Sequence, residues 1–136
     1  MDVKPYKREF LYHFKYDGVE KEYHGEDIIP IVEFYEKIGK CFVGFINGEI
    51  IGVGGIYPLW KDAGGCFLFL NKSASKYKKS VFKVLVQYLN IYIKEYKIKN
   101  IVVECLENCL SANNLITHLG FKKNKEYKLA MYIKGV

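Results

Sequence analysis

The residue pattern predicts a mixed α/β domain: an α+β arrangement in which a central mixed sheet carries helices on both faces, in chain order β-α-β-β-β-α-β-α-β. Three signals carry this reading. Asn47-Gly48 stands between two β-rich runs, and both residue types tolerate the positive φ angles of a type I′ hairpin turn. Cys66-Phe67-Leu68-Phe69-Leu70 is apolar at every position, as expected of a central strand covered on both sides. Val81, Val84, Leu85, Tyr88, Leu89 and Tyr92 recur at helical spacing, opposite Lys83, Gln87, Asn90, Lys94 and Lys97. That alternation of faces is an amphipathic helix over residues 80–96.

The remaining elements follow in order. Arg8 to Tyr16 sets Phe10, Tyr12 and Phe14 two apart, which predicts a first strand, and Asp17-Gly18 marks a turn after it. Between Asp27 and Ile38, Ile28, Ile31, Val32, Tyr35 and Ile38 keep helical spacing. Pro30 falls in the first turn, where its missing N–H is harmless, and Gly39 follows as a C-cap candidate. The hairpin strands are Cys41–Ile46 and Glu49–Tyr57, the second ended by Pro58. Asn71 to Lys79 is polar and basic, a loop before the long helix. Ile101–Cys105 reads as a buried strand, Ser111–Leu119 as a short helix ending at Gly120, and Tyr127–Ile133 alternates as a last strand.

Half of the 136 residues are hydrophobic and 26% are charged, so a packed core is within reach and wholesale disorder is excluded. No linker, repeat or low-complexity tract divides the chain, and residues 1–136 are expected to form one domain. No apolar run approaches the ~18 residues of a membrane span, and Met1 to Arg8 lacks the apolar segment of a signal peptide. Cys41, Cys66, Cys105 and Cys109 show no zinc-ligand spacing, and His13, His24 and His118 are far apart, so no metal is expected. Reduced, buried thiols fit a cytoplasmic setting.

The net charge of +6 is unevenly spread. Residues 1–40 carry seven basic and nine acidic side chains, whereas residues 41–136 carry fourteen and six. Arg8 is the only arginine. Reading bases directly leans on bidentate arginines, so nucleic acid is not the expected partner, although lysines alone could give salt-dependent phosphate binding.

The hairpin Cys41 to Gly55, the run Cys66–Leu70 with the loop and helix after it, and Leu119-Gly120-Phe121 behind a short helix resemble, in order and spacing, the GCN5-related N-acetyltransferase (GNAT) superfamily. The resemblance covers essentially the whole chain and is concentrated in residues 41–121. It implies a GNAT-like fold and an N-acyltransferase that moves an acetyl group from acetyl-coenzyme A (acetyl-CoA) to an amine, on a small molecule or a protein. It implies that strand Cys66–Leu70 splays from Ile101–Cys105 and that the pantetheine arm enters between them. Backbone groups of Phe69 and Leu70 would then hold the pantetheine, and Lys76, Tyr77, Lys78, Lys79, Ser80 and Val81 the phosphates. Asn108 lies within one residue of the family's asparagine after the fifth strand, which implies a cofactor-binding role for it. A monomer or a homodimer made through the C-terminal strand would be ordinary for the superfamily.

Two departures stand out. The family's phosphate loop is glycine-rich, because glycines let N–H groups approach the anion closely; residues 72–80 contain no glycine. The family's tyrosine acid, four residues before the Gly-Phe pair, is Ile116 here, which cannot donate a proton. These departures resemble phage-encoded GNAT-like proteins with a degenerate coenzyme A loop, which implies an alternative: a non-catalytic interaction protein, located in the host cytoplasm or the virion.

For catalysis, Glu104 is the one carboxylate within an apolar strand run, where burial would raise its pKa toward that of a useful base. The other reading turns Glu104 toward solvent or toward a lysine of the last strand. Tyr57 and Trp60 are candidates for the acceptor cleft, or for rim packing.

Overall fold

The computed structural model describes residues 1–16, 23–105, 110–124 and 130–135. A seven-stranded sheet has the spatial order β1-β4-β5-β6-β7-β9-β8. Its members are β1 (Asp2–Pro5), β4 (Lys40–Ile46), β5 (Glu49–Pro58), β6 (Ala63–Leu70), β7 (Asn100–Cys105), β8 (Lys122–Asn124) and β9 (Ala130–Gly135). Two residue pairs, Lys15–Tyr16 (β2) and Tyr23–His24 (β3), form a separate ribbon. The helices are α1 (Arg8–Leu11), α2 (Gly25–Ile38), α3 (Lys78–Glu95) and α4 (Leu110–His118), with a 3₁₀ helix over Lys72–Tyr77 leading into α3.

The hairpin forms where Asn47-Gly48 places it. Asn47 and Gly48 have φ of 51° and 79°, the positive values a type I′ turn requires. Ladder pairing shifts by one residue between Gly44 and Phe45, a bulge that leaves Ile51 as the extra residue of β5. Ile51 is buried with Ala74 and Val81 beneath the start of α3.

Helices cover both faces. Leu11, Phe14, Ile28 and Val32, from α1, its exit and α2, pack with Cys41, Val43 and Val53 of the sheet. On the other side Ile56 and Ile101 pack with Ile93, Ile98 and Phe121, joined by Ile116 and Leu119. Val53 and Ile56 are an odd number of residues apart on β5, so alternation of side chains places these clusters on opposite faces. Of the polar positions predicted for α3, Lys83, Gln87, Asn90, Lys94 and Lys97 are all exposed.

Three expectations are corrected. Residues 8–16 are not one continuous strand: only Lys15–Tyr16 is extended, in the small ribbon. Arg8–Leu11 is a helical turn, and Leu11 and Phe14, three apart, are the buried pair. The first strand is instead Asp2–Pro5, antiparallel to β4 with Val3 facing Gly44. As an edge strand it tolerates Pro5, which lacks a donor. Gly39 does end α2, but not through a left-handed φ, which among the described glycines only Gly48 and Gly120 adopt. A Cβ on Gly39 would lie 2.3 Å from the Ile56 carbonyl oxygen and 2.6 Å from Tyr57 Cα, so the glycine is needed for close approach to β5. Finally, residues 72–79 are not an irregular loop. The Asn71 side chain accepts a hydrogen bond from the Ala74 N–H at 3.2 Å, capping the 3₁₀ turn, and α3 begins at Lys78.

Among the described residues the last strand covers Ala130–Gly135, and it is preceded by β8, which the sequence reading lacked; the expected start at 127–129 lies outside the described residues. No described helix is long and apolar enough to cross a membrane.

Candidate functional site: a gap in the middle of the sheet

The central strand β6 pairs along its whole length with β5, from Pro58↔Gly64 to Gly52↔Leu70. Its other edge behaves differently. β6 and β7 run parallel, and their register holds only three pairs, Ala63↔Asn100, Gly64↔Ile101 and Gly65↔Val102. Beyond Gly65, Cys66 to Leu70 have no partner among the described residues of β7. At a rise of about 3.3 Å per residue, the free edge is roughly 16 Å long. β7 meanwhile stays paired with β9 from Asn100↔Gly135 to Cys105↔Ala130. Both strands are held on their far sides and part from each other.

A free edge in mid-sheet leaves backbone N–H and C=O groups without their usual ladder partners, and these are strong, obligatory hydrogen-bonding groups. Cys66 through Leu70 are only half-buried, although the sequence pattern anticipated a strand covered on both faces. Cys66, Leu68 and Leu70 alternate with Phe67 and Phe69. Leu70 packs with Ile51, Ala74 and Val81 on the α3 side, and Phe69 meets Tyr16 edge-on on the other, ring centroids 5.3 Å apart.

The open end of the gap leads to the start of α3. Lys76 and Tyr77 lie on the 3₁₀ helix, and Lys78, Lys79, Ser80 and Val81 form the first turn of α3. Lys76, Lys78, Lys79 and Ser80 are exposed; Tyr77 is half-buried and Val81 is in the core. Only the backbone of Val81 is therefore free to serve a ligand. No acidic residue lies in the first turn of α3 or of the 3₁₀ helix, so the positive end of the helix and the lysines add together.

Glu104 is placed by its backbone, on β7 opposite Met131 of β9, two residues past the last β6 pair. Asn108 lies outside the described residues. Ile116 is half-buried on α4 against the Ile101 cluster. His118 sits exposed in the last turn of α4. Cys41 and Cys66 are free thiols, without a disulfide. Burial pushes the Cys66 thiol up to about 12, and burial with Glu36 nearby raises Cys41 further, so neither is a ready nucleophile.

Tyr57 and Trp60 separate. Trp60 is 72% exposed in the β5–β6 turn, at the closed end of the gap. Tyr57 belongs to a ring stack the sequence reading missed. Tyr35 of α2 lies 4.4 Å from the Tyr57 ring at 18° and 4.7 Å from the Phe67 ring at 23°. Helical spacing assigned Tyr35 to the core, and nothing local indicates that it reaches two strands. A concavity of about 560 Å³ lies elsewhere, between α1 and α2. There the Arg8 guanidinium is engaged in two contacts with Glu33, at 2.5 and 2.9 Å.

No protein-family profile matches the sequence, and no curated protein matches it by sequence. Solved structures do resemble it. An N-acetyltransferase from Staphylococcus aureus Mu50 is 18% identical, with 98% of this chain and 97% of that chain covered, at a TM-score of 0.70. The GNAT domain of S. lividans PAT is 12% identical, over 98% and 89% of the two chains, at 0.73. A GNAT family acetyltransferase from Elizabethkingia anophelis, solved with acetyl-CoA bound, is 13% identical over 99% and 97%, at 0.66. The chain has the GNAT fold.

Proposed function

We propose that this GNAT-fold chain is an N-acyltransferase that takes an acetyl group from acetyl-CoA and delivers it to an amine. The observation that carries the reading is the early end of the β6–β7 register at Gly65↔Val102. It leaves the unpaired edge of Cys66–Leu70 in mid-sheet, opening toward exposed lysines at a helix start. An extended, amide-containing ligand satisfies such an edge by adding to it as a further strand would. Phe69 and Leu70 offer backbone groups to the pantetheine. Lys76, Lys78 and Lys79 offer charge to the phosphates, with Tyr77, Ser80 and the Val81 backbone beside them.

The balanced reaction forms a bond between the amine nitrogen and the thioester carbonyl carbon and breaks the C–S bond. The amine gives up one proton, and one proton ends on the departing thiolate. Backbone N–H groups of β6 near the vertex polarise the carbonyl, and the gap fixes the line of approach. Glu104, beside the vertex on β7, is assigned as the group that takes the amine proton. With Ile116 in place of a tyrosine acid, the thiolate takes its proton from solvent. We place the protein in a reducing cytoplasm, consistent with its free thiols.

Calorimetric titration with acetyl-CoA and with desulfo-coenzyme A tests the cofactor assignment. Saturable binding of both supports it, and no heat at millimolar ligand overturns it. A second reading is favoured by Ile116 and by the glycine-free segment wound into a 3₁₀ helix: a non-catalytic interaction protein, like the phage-encoded GNAT-like proteins the sequence resembles. Folded scaffolds outlive their chemistry. That reading predicts no coenzyme A binding, or binding without acetyl transfer to any amine.

A further inference from the structure

Three turns meet at the closed end of the gap. Lys40 pairs with Ile56, and a Cβ on Gly39 would lie 2.6 Å from Tyr57 Cα, so the turn after α2 sits beside the end of β5. The β5–β6 turn is closed by hydrogen bonds from the Leu59 N–H to the Ala63 carbonyl at 2.8 Å and from the Ala63 N–H to the Trp60 carbonyl at 3.1 Å. The Asp62 carbonyl then accepts from the N–H groups of Lys99 and Asn100, at 2.6 and 3.3 Å. Those two bonds tie the turn after α3 to the same place. Lys61 has a φ of 55° and Lys97 of 53°, left-handed values that are strained for a lysine.

This pinned end presents apolar and basic side chains together. Trp60 is the most exposed large apolar residue among those described, with Leu59 next to it in the chain and Ile38 exposed at the end of α2. A tryptophan on a loose loop can fold back onto the protein. On a turn held by these four backbone bonds it stays out in solvent. Residues 38–40, 59–63 and 97–100 carry four lysines, Lys40, Lys61, Lys97 and Lys99, against one acid, Asp62. All four lysines are exposed. Lys99 approaches Asp62 at 4.0 Å, while Lys40, Lys61 and Lys97 form no ion pair among the described residues.

We propose that this end docks the protein on an anionic lipid surface, with Trp60 and Leu59 entering the interface and Lys40, Lys61, Lys97 and Lys99 reaching lipid phosphates. The excess of lysine calls for a negatively charged partner, and each lysine near an anionic leaflet adds to the attraction. Tryptophan, with an apolar ring and one N–H, favours the boundary between water and hydrocarbon. Lysine stems lie along apolar surface while their ammonium groups stay at headgroup level. A single-stranded nucleic acid asks instead for successive stacking rings, and the nearest other ring in the chain, Tyr57, is already stacked on Tyr35. The docking turn and the phosphate-binding lysines lie at opposite ends of β6, which spans about 23 Å from Ala63 to Leu70 at the usual rise per residue. A docked molecule thus keeps the mouth of the gap open to water. The proposal stands apart from the acyltransferase reading.

Trp60 is the only tryptophan, so tryptophan fluorescence reads this turn alone. The full chain is titrated with vesicles of equimolar phosphatidylglycerol and phosphatidylcholine, with vesicles of phosphatidylcholine alone, and with single-stranded oligothymidylate. Co-sedimentation measures vesicle binding independently. The proposal expects a blue shift and co-sedimentation with the anionic vesicles, both weakening as salt rises, and neither with phosphatidylcholine. Trp60→Ala, and separately Lys61→Asn with Lys97→Asn, should each weaken co-sedimentation by about tenfold. Asparagine accepts the left-handed φ of both lysine positions, and circular dichroism checks that each variant is folded. Absence of binding to anionic vesicles at low salt overturns the proposal, as does equal binding to phosphatidylcholine or binding that neither variant weakens. Tighter binding of the oligonucleotide overturns it in favour of nucleic acid. A homodimer in sedimentation velocity that Trp60→Ala dissociates overturns it in favour of a second copy.

Discussion

Gly65 faces Val102 in the last parallel pair of β6 and β7, and the next residues along, Cys66 and Val103, no longer face each other. Val103 remains paired with Tyr132 on β9, and Cys66 with Ile56 on β5. The gap is therefore set by two intact ladders that diverge, not by a frayed strand end. Because both ladders are already formed, a ligand entering the gap need not displace existing backbone pairs.

Removal of the Lys76, Lys78 and Lys79 charges together (each to Ala) is expected to weaken coenzyme A binding by about tenfold to a hundredfold. These side chains are exposed, so the effect should shrink as salt rises. Calorimetry at low and high ionic strength measures it. Affinity unchanged at low salt would move the phosphate site elsewhere.

Glu104→Gln keeps size and removes the proton acceptor. With an amine acceptor at saturation, kcat is expected to fall by about 10²- to 10⁴-fold. The acid limb of the pH–rate profile should vanish and coenzyme A affinity should persist. A profile that keeps its acid limb in the variant would assign the base to another group.

Gly39→Ala is expected to destabilise the fold by about 1–3 kcal/mol, the usual range for overpacking. The nearest atoms to the new Cβ are the Ile56 carbonyl oxygen and the Tyr57 Cα and Cβ. None is the far end of a flexible side chain, so β5 itself must shift. Urea denaturation measures the loss; stability equal to the parent would contradict the close approach of α2 to β5.

The Cys66 thiol gives a pH signature. Burial raises its folded pKa from 9.0 to about 12, so the unfolded chain loses this proton first as pH rises. Its contribution to stability is complete below pH 9 and declines as pH climbs toward about 12. Cys66→Ala should flatten the denaturation midpoint between pH 8 and 11 relative to the parent. An unchanged slope would mean the sulfur is solvated in the folded protein.

Much of this fold was legible because some residues allow few conformations. Asn47-Gly48 nearly dictates its turn, and a stripe repeating through Val81, Leu85, Tyr88 and Tyr92 fits only a helix. The errors arose where two periods coincide. Phe10, Tyr12 and Phe14 alternate as a strand would, yet Leu11 and Phe14, three apart, are the pair that helical geometry buries. β1 offers only Val3 as an apolar signal, because an edge strand needs little burial. The Asn71 cap was readable in principle, since Asn is a favoured N-cap, but the polar run Lys72–Lys79 masked it. For the site, the sequence located β6, β7 and the lysines. The place where two strands part is set by register, which no local pattern encodes, and the Tyr57–Tyr35–Phe67 stack joins residues distant in the chain.

The most direct test follows backbone amides of Cys66–Leu70 by ¹⁵N-resolved NMR, with hydrogen exchange, as coenzyme A is titrated. Those amides in this segment not bonded to β5 should exchange quickly in the free protein. On saturation they should shift and become protected, while Ala63–Gly65 stay as they were. Protection of Cys66–Leu70 without ligand, or coenzyme A shifts that spare this segment, would contradict the open-edge account.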